Sequence, residues 1–389
     1  MPRTPERLHL PAFDLESGQT LRDVHVAYHL DGTIDAARAN VVLVHHALTG
    51  SADAVGDWWA DCIGPGRAVD TTRWAVLSTN LLGSCYGTTG PRWDDGGTFP
   101  RITIRDQARL ALEVVRRLDI RRVALVCGGS LGGMVTWETV ALAPDLVEQA
   151  VVFAAPARQT ALGAAWGACM RRALEIGGPQ DGLALARMIG MVSYRASASL
   201  EAKHAPLDSP YDTPRVAEWL DAHGTRLVAR FDAAAYRTLV DAMDTHDIWR
   251  GREAQRATLS AQLAARLTVA GIPGDLLYPA EDVWRDAAAI GARLGRIDSP
   301  HGHDAFLLED DQVAAQLAAA LARTVAQRSA PPNVTSPTSS TSHETTARKR
   351  DSGIRRSSLT PASVPTIAPA VVSATTGHSV HTRSGARVM

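Results

Sequence analysis

The sequence predicts an α/β fold, a mostly parallel sheet with helices on both faces and a helical lid inserted late in the chain. Three observations lead there. Short continuous apolar runs recur along the first 155 residues, the pattern of strands buried on both faces. Stretches with apolar residues at helical spacing alternate with them, an order that implies right-handed crossovers within one sheet. From about Ala157 to Arg266 the strands stop, and stretches rich in Ala, Leu and Arg follow one another. Strands then resume, so this region reads as an insertion rather than a separate all-helical domain.

Taken in order, residues 8–30 alternate polar and apolar around a turn at Ser17-Gly18, as an antiparallel hairpin at a sheet edge does. Asn40-Val-Val-Leu-Val44 is a buried strand running into the small-residue loop His45-His46-Ala47-Leu48-Thr49-Gly50. Trp74–Asn80 is the next strand, followed by a glycine-rich loop to Pro91, and Thr103–Leu118 has helical spacing. Val123–Val126 is a strand and a helix is expected from Met134, with Val151–Ala155 as the strand after it. Beyond the insertion, Leu267–Ile272 is a strand, Val283–Leu294 a helix, Arg296–Asp298 a short last strand and Asp311–Ala326 a closing helix. These boundaries divide the chain into core residues 1–156, a lid at 157–266, core again at 267–328, and a tail at 329–389. The tail turns to Ser, Thr, Pro and Val without periodicity, so it is expected to stay disordered: it cannot bury enough apolar surface to offset ordering.

Composition narrows the function classes. The chain has 389 residues, 45% of them hydrophobic, with a net charge of −1. From residue 331 onward it carries seven basic and two acidic residues, which leaves a mildly acidic body of the kind soluble enzymes have. Nothing points to nucleic acid. The four cysteines show no C-x-x-C spacing, so neither a zinc site nor a disulfide framework is indicated. No apolar run approaches the roughly 18 residues of a membrane span, and the N-terminus lacks a signal-peptide core. A cytoplasmic protein is expected.

The chemistry is expected at Gly128-Gly129-Ser130-Leu131-Gly132. This is a G-x-S-x-G pattern between a buried strand and a helix, where a sharp turn lifts a serine to the carboxyl end of the strand. The turn needs glycines because a Cβ beneath the serine would clash. A serine hydroxyl becomes a nucleophile only when a base takes its proton, and an acid must hold that base. The order along the chain in such enzymes is serine, acid, histidine. Asp275 lies just beyond strand 267–272, where the acid belongs; Asp247 is the weaker candidate because no strand precedes it. His204, His223 and His246 fall in the insertion and are expected to face solvent. His301 and His303 both follow the last strand and both remain eligible as base. The oxyanion hole would use the N–H of Leu131 and one from His45–Thr49, with Leu48 best placed. His45-His46 carries no third ligand nearby, so no metal is expected.

Six ordered segments carry a family resemblance. Val44-His-His-Ala-Leu-Thr-Gly50, Ile63–Asp70, Asn80–Pro91, Ile102–Asp106, Gly128–Gly133 and Gly302-His-Asp-Ala-Phe306 resemble homoserine O-acetyltransferases of the α/β-hydrolase fold, over about residues 8–325. The resemblance implies Ser130 as acylated nucleophile, Asp275 as acid and His303 as base. It implies Leu48 and Leu131 as oxyanion donors, and Arg187, Tyr194 and Asp304 as the acceptor site. Seven residues apart, Arg187 and Tyr194 share one helix face. Arg can clamp a carboxylate and Asp can meet an ammonium. It implies acetyl-CoA as acyl-donor substrate with no bound cofactor, L-homoserine as acceptor in methionine biosynthesis, and a homodimer formed through the lid helices. Serine as acceptor, succinyl-CoA as donor, and plain ester hydrolysis are the alternatives. One departure from the family pattern is the short link Arg92–Thr98, where a Ser-Ser pair and a longer loop are usual, expected near the mouth of the site.

Overall fold

The computed structural model describes residues 3–204, 212 and 214–330. The expected tail lies outside the described residues from 331 onward. Eight described strands form one sheet. They are β1 (Glu6–Asp14), β2 (Thr20–Asp31), β3 (Val41–His45), β4 (Ala75–Thr79), β5 (Val123–Gly129), β6 (Ala150–Phe153), β7 (Leu267–Gly271) and β8 (Arg293–Arg296). Their spatial order is β1-β2-β4-β3-β5-β6-β7-β8. β1 and β2 pair antiparallel, as does β2 with β4, and every later pair is parallel.

Helices α1 (Ile104–Arg117) and α2 (Leu131–Leu142) lie between β4 and β6 in sequence. Between β6 and β7 come α3 (Ala161–Gly177), α4 (Leu183–Tyr194), α5 (Ser197–Lys203), α6 (Arg215–Val228), α7 (Ala233–Met243) and α8 (Arg256–Arg266). After β7 follow α9 (Ala280–Ile290) and α10 (Asp310–Ser329). The strand alternation sorts the core into two apolar layers. Val41 and Leu43 of β3 join one, together with Ala108 and Val114 of α1 and Met134 and Trp137 of α2. Val42 and Val44 join the other, with Val313, Leu317 and Leu321 of α10. Thr103 starts α1 with a capping box, its hydroxyl accepting from Asp106 N–H while the Asp106 carboxylate accepts from Thr103 N–H.

The insertion is fastened to α2 by charge. The Glu138 carboxylate is buried between Arg252, which donates at 2.8 Å, and Arg105 of α1, which donates at 3.3 Å. Removing either cation would leave a buried carboxylate underpaired.

Several boundaries differ from expectation, among them the last strand, which runs Arg293–Arg296 rather than Arg296–Asp298. α2 starts at Leu131, not Met134, because Gly132 and Gly133 are helical and serve close packing rather than a turn. The helix expected to reach Leu294 ends at Ile290, with Gly291 in the left-handed region, and Leu294 belongs to β8. β8 has only Gly295 buried, so it lacks the apolar run that marks the inner strands.

Candidate active site

Ser130 joins β5 to α2 with φ 56° and ψ −125°, a strained conformation for a residue with a side chain. Such strain costs about 1–3 kcal/mol and persists only where surrounding bonds hold it. Here Ser130 N–H donates to the Phe153 carbonyl at 3.0 Å, and Met134 N–H donates to the Ser130 carbonyl at 3.0 Å. The glycines let the chain pass beneath. A Cβ on Gly128 would stand 2.6 Å from the Gly132 carbonyl carbon, and one on Gly132 would run into the His45 carbonyl. Leu131 is the first helical residue, so its N–H has no acceptor within α2 and points from the positive end of the helix.

His303 sits in a short 3-10 turn, Gly302–Leu307, after β8. Its Nδ1 is 2.6 Å from Asp275 Oδ2, and both side chains are buried. Asp275 is itself fixed: its Oδ1 accepts from the backbone N–H groups of Leu277 at 2.8 Å and Tyr278 at 2.9 Å. An ionised carboxylate only accepts, so Nδ1 carries the proton and Nε2 is left as a base. Nε2 is buried and has no hydrogen-bond partner among the described residues. The rings of Tyr194, Tyr278 and Phe306 surround His303 at 5.6–5.7 Å, and Phe306 also lies over Gly129, next to Ser130. His303 and Asp275 are thus brought together beside the serine turn.

The loop after β3 is held from beneath by two buried histidines whose part the sequence did not reveal. Leu81 N–H donates to His46 Nε2 at 3.1 Å, so the proton is on Nδ1, which donates to the Ala47 carbonyl at 2.8 Å. Thr139 commits its hydroxyl proton to the Val135 carbonyl and so accepts from His45 Nε2 at 3.1 Å. Burial pushes His46 down to about 4 and His45 to about 3, the neighbouring histidine adding to the second. Both are neutral, and both hold the loop that carries Leu48.

Arg187 and Tyr194 face one another on α4, the guanidinium carbon 5.7 Å from the ring centre. Burial raises the Tyr194 hydroxyl above its ordinary value, so it stays protonated. Asp304 already holds a partner: Arg195 lies 3.2 Å from its carboxylate. Burial raises Asp304, and Arg195, His303 and Arg187 oppose the rise. Arg195 was not anticipated from sequence, and only its place beside Tyr194 could have marked it. A cleft of about 950 Å³ runs from Ala47 and Thr49 past Tyr86 to Arg187 and Arg230. Arg230 donates to the Thr49 carbonyl at 2.8 Å and the Tyr86 hydroxyl at 2.6 Å, bracing the loop after Leu48.

Other candidates fall elsewhere. His301 Nδ1 is 3.3 Å from Ser199 Oγ, away from Asp275. Asp247 accepts from Trp249 N–H in its own turn. His204 and His223 are half-buried. His246, expected at the surface, is buried: its Nε2 donates to the Pro156 carbonyl at 3.0 Å, joining insertion to core. The short link 92–98 packs at the start of α7, where Trp93 N–H donates to Asp232, and it does not line the cleft.

A family profile described as the alpha/beta hydrolase fold matches residues 40–176. Homoserine O-acetyltransferase of Thermus thermophilus is 41% identical over 336 residues, covering 77% of this chain and 87% of the relative. The enzyme of that name from Salinibacter ruber is 41% identical over 335 residues, covering 79% and 94%. Among solved structures, homoserine O-acetyltransferase from Staphylococcus aureus superposes with a TM-score of 0.71 at 28% identity, covering 81% of this chain and 94% of the other.

Proposed function

The chain belongs to the homoserine O-acetyltransferase family, and from that premise we propose a two-step acetyl transfer through Ser130. It is an acyltransferase that moves the acetyl group of acetyl-CoA to the hydroxyl of L-homoserine, a reaction of methionine biosynthesis. In the first step His303 Nε2 takes the Ser130 hydroxyl proton while Oγ attacks the thioester carbonyl. The N–H groups of Leu48 and Leu131 receive the developing oxyanion. The C–S bond breaks, coenzyme A leaves as a thiol with the proton from His303, and acetyl-Ser130 remains. In the second step the homoserine hydroxyl gives its proton to His303 and attacks the acetyl carbonyl. Collapse returns the proton to Ser130 and releases O-acetylhomoserine.

The observation that carries this reading is His303 itself. Its Nδ1 is committed to Asp275 at 2.6 Å, and its buried Nε2 has no partner among the described residues. Asp275 holds the ring and stabilises the imidazolium formed in each step. We assign Arg187 to the acceptor carboxylate, Tyr194 to a hydrogen bond with the same molecule, and Asp304 to its ammonium. The helical region 157–266 acts as a lid that keeps water from the acetyl-enzyme. The chain works in the cytoplasm as a homodimer paired through those helices; no described helix is long and apolar enough to cross a membrane.

Thiol release measured with acetyl- or succinyl-CoA against L-homoserine or L-serine tests the reading. Acetyl-CoA with L-homoserine should be the fastest pair, and acetyl-CoA alone should add one acetyl mass to the peptide containing Ser130. Thiol release that no amino acid accelerates would identify a hydrolase. Transfer without a Ser130 adduct would exclude the two-step route.

A further inference from the structure

The outer face of the edge hairpin gathers ligands that the reaction does not use. His9 of β1 and His25 of β2 are directly paired across the strands. The backbone N–H and carbonyl of His25 point the other way, bonding Thr89 Oγ1 and Thr89 N–H at 2.9 Å each. His9 and His25 therefore form a non-hydrogen-bonded pair, the kind that brings opposing side chains closest. Their rings lie 5.1 Å apart, 34° from parallel.

Asp23 completes the group. In a regular strand it would project two residues before His25 on the same face. It sits instead at φ 56°, opposite the Pro11 side of β1, where register pairing is interrupted. Its Oδ1 is 2.8 Å from His9 Nε2 and 3.6 Å from His25 Nε2. The three ligand atoms lie within 4.8 Å of one another, the one such group of three among the described residues. Ligands about 2.1 Å from a tetrahedral ion stand about 3.4 Å apart, so these separations fall on either side of the spacing an ion would impose.

We propose that His9, Asp23 and His25 bind a divalent first-row transition ion of the Zn²⁺ type, which clamps the edge strand β1 to β2. Two imidazoles and one carboxylate suit such an ion and disfavour Mg²⁺ or Ca²⁺, which prefer all-oxygen shells. Water completes the coordination, since all three side chains are about half or more exposed. The site lies apart from Ser130 and His303, so neither the proposal nor its test depends on the acetyl-transfer scheme.

Calorimetric titration of the full chain with Zn²⁺ alone tests it, comparing wild type with His9→Ala/His25→Ala. Wild type should bind one more equivalent of Zn²⁺, at micromolar affinity, than the double variant, which keeps every other histidine. Asp23→Asn should bind Zn²⁺ at least about 10-fold more weakly, since a neutral amide is a poorer ligand than a carboxylate. Zn²⁺ should raise the melting temperature of wild type and not that of the double variant, while acetyl transfer without added metal is the same in both. Equal stoichiometry in the two proteins, or equal binding of Mg²⁺ at the site, overturns the proposal.

Discussion

Ser130, Asp275 and His303 stand on turns after β5, β7 and β8, whereas Arg187 and Tyr194 stand on α4 of the helical insertion. The first group is held by backbone. Ser130 is strapped to Phe153, Asp275 accepts two N–H groups, and the loop bearing Leu48 is pinned by His46. The second group is held by side chains on one another: Arg187 over Tyr194, Tyr194 beside His303, Arg195 on Asp304. A backbone-held group keeps its geometry through changes of substrate. A side-chain-held group can be retuned by substitution, which suits the part we assign to the acceptor.

That contrast breaks most sharply at the serine. Ser130→Ala removes the proposed attacking atom, so kcat should fall by roughly 10⁴-fold or more. His303→Ala should cost about as much, and the double variant little beyond either single one, as expected of residues acting as a unit. Mass spectrometry after incubation with acetyl-CoA should find no acetyl on the Ser130 peptide of either variant. Independent, multiplicative losses would show that the two residues do not act in one step.

The seam between the two regions makes a prediction about acid. Burial holds His246 down at about 4, as it does His46, while His45 is held at about 3. In the unfolded chain each histidine takes up a proton near pH 6.5. As pH falls below that value, protons favour the unfolded chain, and the loss ends once the folded value is passed. Each group then costs up to about 1.4 kcal/mol per pH unit between pH 6.5 and its folded value. Urea unfolding at pH 7.5, 6.5, 5.5 and 4.5 should show the decline beginning near pH 6.5. His246→Gln keeps a donor for the Pro156 carbonyl and removes one titrating group. A slope unchanged in that variant would mean that His246 is solvated.

The helix-borne half is more selective in what it loses. Lysine cannot reproduce the planar fork of Arg187. A charge-assisted contact is worth about 1.5–3 kcal/mol, so Arg187→Lys should lower kcat/KM for homoserine about ten- to hundredfold. Rapid-quench measurement should find acetylation of Ser130 near the normal rate. If acetylation slows while acceptor KM is unchanged, Arg187 serves the donor instead.

The same division governs what the sequence could reveal. Val41–His45 and Val123–Gly129 are buried throughout, so their apolar runs announce strands. Gly128 and Gly132 are dictated by close backbone approach around Ser130, which makes the proposed nucleophile legible as a motif. β8 was misplaced because Arg293-Leu-Gly-Arg296 buries one residue and reads as a helix end. The choice between His301 and His303 turned on resemblance; in three dimensions only His303 meets Asp275. Arg195 and Arg230 were invisible, since their partners Asp304 and Thr49 lie far off in sequence and meet them only once the insertion folds over the sheet. His246 was misjudged for the same reason: it follows the end of α7 and is buried by contact with Pro156, far off in sequence.

The smallest expected effect is the one that best separates ring from hydroxyl. Tyr194 stacks near His303 and under Arg187, and those contacts use its ring. Its hydroxyl, kept protonated by burial and hydrogen-bonded to the Tyr236 hydroxyl, is the part that would donate to an acceptor molecule. Tyr194→Phe preserves the ring packing and deletes one neutral hydrogen bond, worth about 0.5–1.5 kcal/mol. The predicted loss in kcat/KM for homoserine is therefore about two- to tenfold, smaller than for Arg187→Lys, with the acetylation half-reaction unaffected. Tyr194→Leu removes the ring as well and should disturb His303, slowing both half-reactions. If Tyr194→Phe slows acetylation of Ser130 as much as it weakens acceptor use, the hydroxyl supports the base rather than the substrate. Tyr194 would then belong with the backbone-held group despite standing on α4.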